Sequence, residues 1–240
     1  MEAEPITALA PALPGRSSAS QRWSDLAFVH WRVDPADVTP LLPPGIRPDV
    51  FDGSSWVGLI AFVLDKATLL GSPPIPYFGS FVEVNVRLYG VDEQGRRGVV
   101  FASLEASRLA AVFAARAMFS LPYYWSKTAL SRPDDRLSYA TRRHGATAAR
   151  SRIEIRPGAE ILLPDPLSDF LTARWALFEK RGHRTLFLRN WHEPWVLHEA
   201  ELVALEDTLV AKAGLPGITE RPPDSVLYSP GVTTRFGATR

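Results

Sequence analysis

Cysteine is absent from the 240-residue chain, which removes disulfides, Cys-ligated zinc, iron–sulfur clusters and cysteine nucleophiles together. Lysine is scarce, represented only by Lys66, Lys127, Lys180 and Lys212. Long apolar runs are also missing. The best, Trp56 to Leu64, is nine residues, about half the length of a membrane-spanning helix. Neither sign of charge dominates: 27 Lys+Arg against 26 Asp+Glu leave a formal charge of +1. Nothing therefore points to nucleic acid or to a highly charged partner. No G-x-S-x-G elbow, P-loop or strand-linked G-x-G-x-x-G occurs, so serine-hydrolase, nucleotide and dinucleotide sites are not expected. The first residues, Met1-Glu2-Ala3-Glu4-Pro5, are acidic where a secretory leader would be basic. The expectation is a soluble, cytoplasmic protein without a cofactor.

What is present is proline, 21 residues with 16 Gly, spread along the chain and seldom compatible with long helices. Residues 1–20 are Ala/Pro/Ser-rich and without period, and read as a mobile tail. Residues 21–240 read as a single domain. Short apolar or alternating runs separated by Gly, Pro and Asp turns predict strands at Trp23–Val33, Phe81–Val91 and Val99–Ser107. Asp34-Pro35 predicts a capped short helix, and Asp207 another ending near Ala213. Asp52-Gly53 predicts a hairpin between Ile46–Phe51 and Ser54–Leu64. Further strands are expected at Tyr124–Leu130, Arg136–Arg143, Ala148–Arg156, Trp175–Lys180, His183–Trp191 and Val196–Leu205, and a helix at Arg108–Phe119. Together these predict a mainly β, closed or nearly closed antiparallel sheet with a few short helices.

The stretch FVHWRVDPADVTPLLPPGIRPDVFDGSSWVGLIAFVL (28–64) resembles the opening of an uncharacterised bacterial family, the YqjF-like proteins. FVEVNVRLY (81–89) is similar to its E-x-N-x-R strand. Segments 101–130, 205–216 and 226–237 resemble its later parts in order. That family is grouped with acetoacetate-decarboxylase-like proteins. The resemblance implies an antiparallel β-barrel around a small-molecule cavity, a ligand that is an organic acid or carbonyl compound, and association into homo-oligomers.

Decarboxylases of this kind use a lysine that forms a Schiff base with a keto acid, with a glutamate and an arginine orienting it. By that resemblance Lys127 is the candidate amine and Glu83 the candidate catalytic carboxylate. A reactive lysine needs a dry pocket or a neighbouring cation to lower its pKa. The decarboxylase motif carries two adjacent lysines, and here the neighbour is Ser126. The alternative is a surface lysine, in a non-catalytic small-molecule-binding or scaffold protein that has lost the reactive lysine system. Glu83, Asn85 and Arg87 alternate with valines, so they share one strand face, either lining a cavity or facing solvent. Arg87 suits two-point contact with a carboxylate. His30, Tyr123 and Tyr124 complete the candidate ligand contacts, with a hydrogen-bonded core histidine as the alternative for His30. No metal is expected: His192 and His198 would lie ~20 Å apart on one strand. Seven arginines between Arg132 and Arg156 read as a solvated exterior.

Overall fold

Turn residues divide the chain into twelve strands in the computed structural model, which describes residues 2–69, 71–73, 79–108, 121–145 and 149–237. They are β1 Ser17–Val33, β2 Ile46–Pro48, β3 Ser55–Leu69, β4 Phe81–Asp92, β5 Arg97–Ala106 and β6 Tyr123–Ser131. Then follow β7 Leu137–Arg143, β8 Arg150–Glu160, β9 Ala176–Arg181, β10 Arg184–Trp191, β11 His198–Asp207 and β12 Ser225–Gly237. Three short helices are described: α1 Pro35–Val38, α2 Pro166–Thr172 and α3 Leu209–Lys212. The predicted helix Arg108–Phe119 falls almost wholly outside the described residues.

All twelve strands join one sheet that closes on itself twice. Strands β12, β1, β3, β4 and β5 form a shared wall. On one side β6, β7, β8 and β11 complete a ring from β5 back to β12; on the other, β9 and β10 complete a second, smaller ring. Period two sorts the wall's side chains between the rings. Ala27, Val29, Trp31, Leu59, Val84 and Val86 pack with Tyr139, Ile153 and Ile155 and fill the first ring. Phe28, Ile60, Phe62 and Leu64 face the second. Sustained burial on both faces explains why Trp56–Leu64 is apolar throughout.

Several expectations are revised. The sheet is mixed: β5 runs parallel to β6 and to β9, and the other pairings are antiparallel. The Asp52-Gly53 turn forms, both residues having positive φ and a Phe51–Ser54 bridge closing it. Beyond it, however, β2 pairs with β4 rather than β3. The β3–β4 ladder stops at Val57–Leu88, leaving the β4 edge at Gly90–Asp92 open to β2. β1 starts at Ser17, inside the expected tail, and pairs with β12 from Ser17–Gly237 to His30–Ser225. The segment before it lies against the body: Glu4 donates its N–H to the Gly95 carbonyl, and Trp175 Nε1 donates to the Thr7 carbonyl at 2.9 Å. Helix α2 was not expected, although its Asp165-Pro166 start repeats the Asp34-Pro35 pattern of α1. Among the described residues no helix is long and apolar enough to cross a membrane.

Five of the seven arginines between 132 and 156 are ion-paired, for example Arg136 and Arg152 with Glu154. Arg143 holds buried Glu105 through two nitrogens.

A candidate small-molecule site in the second ring

The second ring is not filled. It encloses a cavity of about 170 Å³ lined by β1, β3, β4, β5 and β6 and by the segment from Thr172 to Trp195. The polar stripe of β4 reaches it by necessity. Val84, Val86 and Leu88 belong to the first ring's core, so Glu83, Asn85 and Arg87 turn into the second.

Glu83 lines the cavity at 2% exposure. Its Oε2 accepts from the Tyr123 hydroxyl at 2.8 Å and its Oε1 from Asn85 Nδ2 at 3.2 Å. Burial pushes its carboxyl up to about 7, against the lowering effect of those two hydrogen bonds. Asn85 is buried between Glu83 and Arg87 and positions the glutamate without lining the cavity itself.

Arg87 is pinned from behind. Its Nε donates to the Tyr89 hydroxyl at 3.0 Å and its Nη2 to the Leu171 carbonyl at 3.1 Å. The Tyr89 hydroxyl donates to that same carbonyl, which assigns the His30 Nε2 proton to Tyr89 at 2.7 Å. His30 is fully buried, stacked on Phe28, and held neutral by burial and by Arg87. It does not line the cavity, so its expected ligand contact is replaced by a positioning role through Tyr89. Arg87 has no carboxylate partner among the described residues.

The sequence reading missed Arg174, Thr172, His192 and Trp195, all in the cavity wall. Helix α2 organises them. The last carbonyls of a helix lack intrahelical partners, and here site side chains supply them. Arg174 Nε donates to Phe170 O at 2.7 Å, Arg87 and Tyr89 to Leu171 O, and Trp195 Nε1 to Thr172 O at 2.9 Å. Arg174 also pairs with Asp49 at 2.6 Å, and its Nη2 has no hydrogen-bond partner among the described residues. His192 donates from Nδ1 to the Glu193 carbonyl, leaving Nε2 as the unprotonated nitrogen. Burial lowers it to about 4, so the ring is neutral near pH 7.

Lys127 is exposed, contrary to the expected role. It shares a face with Tyr123, but β6 pairs with β5 only at Tyr123–Trp125, and beyond that the face opens to solvent. Lys66, Lys180 and Lys212 are exposed as well, and the residues outside the description include no lysine. Tyr124 turns to the other face of β6, under the Arg143 guanidinium at 3.5 Å, and so is not a cavity contact. Among the described residues no group of three His, Asp or Glu is placed to hold a metal ion.

Residues 20–233 match the DUF2071 family, described as an uncharacterized conserved protein. The chain is 29% identical over 197 residues to uncharacterized protein YqjF of Bacillus subtilis (strain 168), covering 81% of each. An acetoacetate decarboxylase-like enzyme from Sphingomonas wittichii RW1 superposes with a TM-score of 0.65 at 15% identity, over 94% of this chain and 93% of that one. The enduracididine biosynthesis enzyme MppR, in complex with pyruvate, superposes with a TM-score of 0.64 at 15% identity, over 94% and 90%. At such identities the likeness establishes the fold. The chain belongs to the DUF2071 family, and its ring-like sheet is the acetoacetate-decarboxylase-like fold.

Proposed function

We propose that the protein binds a small organic acid in the second-ring cavity, with the ligand carboxylate on Arg87, and that no lysine Schiff base takes part. The observation that carries this is Arg87 itself. It is a guanidinium held in place by Tyr89 and Leu171 at the wall of a largely apolar cavity, with no protein carboxylate among the described residues to neutralise it. Desolvated charges without partners are costly, and a planar carboxylate matches the unsatisfied edge of the fork. Arg174 adds a second cation to the same wall. That MppR is described with pyruvate supports an organic acid in a cavity of this fold.

A second reading adds proton transfer. A carboxyl titrating at about 7 in the wall of a largely apolar cavity can both give and take a proton at neutral pH, so Glu83 is the candidate acid–base group. Exchange of solvent deuterium into a bound 2-oxo acid would report it, and should be lost in Glu83→Gln.

Titration calorimetry with acetate, pyruvate and longer monocarboxylates tests the binding reading. Arg87→Gln should weaken binding at least tenfold, whereas Lys127→Ala should leave it unchanged. Borohydride treatment with keto acids should leave the intact mass unaltered. A lysine adduct, or full affinity in Arg87→Gln, would overturn the reading.

A further inference from the structure

The cavity's apolar surface is an aromatic wall. Trp23 lies 5.5 Å from Phe62, 6.3 Å from Trp195 in a stacked arrangement and 6.2 Å from Phe236, centroid to centroid. Both indole N–H groups are already used, Trp23 on Gln21 and Trp195 on the Thr172 carbonyl. The two rings therefore present carbon surface and no donor. Trp23, Trp195 and Phe236 are only partly buried, whereas Trp31 and Trp56, in the packed parts of the sheet, are fully buried. All three partly buried rings line the cavity.

Resting on the reading that Arg87 takes a carboxylate, we infer that the ligand is a carboxylic acid whose body is a single aromatic ring or an equally bulky apolar group. A small polar acid would leave the aromatic wall uncovered. Size agrees: an engineered apolar cavity of roughly 150 Å³ accommodates benzene, and this one is about 170 Å³. The hydrogen-bonded indoles hold the wall in place before any ligand arrives, so little ordering is required on binding.

The test is a series on the full-length protein: acetate, propanoate, pentanoate and phenylacetate by calorimetry. Fluorine NMR of 4-fluorophenylacetate then locates the ring. Affinity should rise roughly fourfold per methylene, and phenylacetate should bind at least tenfold more tightly than acetate. The bound fluorine signal should move upfield through the ring currents of Trp23 and Trp195. Trp195→Leu, with Phe62→Leu as the milder variant should the first not fold, should lower phenylacetate affinity several-fold more than it lowers acetate affinity. Acetate or pyruvate binding as tightly as phenylacetate, or a bound ligand without the upfield shift, would overturn the inference while leaving the Arg87 reading intact. If no carboxylate binds, or Arg87→Gln binds all of them normally, the Arg87 reading falls and this inference with it.

Discussion

Gly58 is where the Arg87 assembly is tightest. A Cβ there would stand 2.9 Å from the His30 ring and 3.3 Å from Arg87 Cγ, and His30 has no room to retreat because it is stacked on Phe28 and bonded to Tyr89. Gly58→Ala should therefore destabilise the fold by about 1–3 kcal/mol and weaken carboxylate binding with it. Thermal unfolding and calorimetry on the same variant would check both. Tyr89 is the joint of that assembly, since one hydroxyl serves His30, Arg87 and Leu171. Tyr89→Phe should lower stability by about 1–2 kcal/mol and raise the ligand dissociation constant without abolishing binding, because Arg87 keeps its bond to Leu171. The Glu83/Arg87 stripe was legible in the sequence, because alternation with valines leaves only two faces to choose between. Arg174 was not, since its partner Asp49 is 125 residues away and no local pattern joins them.

Helix α2 shows how a short element sets a site. Asp165 accepts from the Ser168 N–H at 2.7 Å, and such a cap contributes about 1 kcal/mol. Asp165→Ala should cost about that much in thermal unfolding. It should also weaken binding, because the carbonyls of Phe170, Leu171 and Thr172 orient Arg174, Arg87 and Trp195. Unchanged affinity at reduced stability would show that the carbonyls hold their places without the cap. The Asp-Pro start was readable, but seven residues carry too little periodicity to confirm a helix, and the run Ile161–Leu163 before it resembles a strand. Lys127 illustrates the opposite failure. Its strand was read from the sequence, yet whether it faces the cavity and where β6 leaves β5 depend on pairing that the sequence does not display. The β2 pairing was missed for the same reason: the turn was encoded locally, the partner strand was not.

At the scale of the whole molecule, buried titratable groups set the response to pH. Glu83 and Glu179, each raised from 4.5 to about 7, contribute stability that is fully present below 4.5 and lost as pH rises through 7. His30 and His192, lowered from 6.5, with His192 at about 4, contribute stability that is present above 6.5 and lost as pH falls. The unfolding temperature should therefore stay nearly level between about 4.5 and 6.5, where the two trends oppose, and fall on either side. Glu83→Gln should remove a contribution of about 3 kcal/mol that is otherwise lost between pH 4.5 and 7, so the variant's stability should rise from 4.5 to 6.5 instead of staying level; unfolding midpoints across pH measure this, and an unaltered profile would place that titration elsewhere. Closure of the sheet depends on β12 lying against β1, a pairing that spans almost the entire chain. Only the resemblance, and no local signal, drew attention to residues 226–237. The wall shared by the two rings also separates two kinds of information. Ala27, Val29 and Trp31 of β1 and Val57, Leu59 and Ala61 of β3 hold the packed core, while Phe62 and Leu64 beside them touch the cavity. Ligand choice can thus drift, or be redesigned by randomising cavity-facing positions alone, while the fold is specified on the reverse side of the same strands.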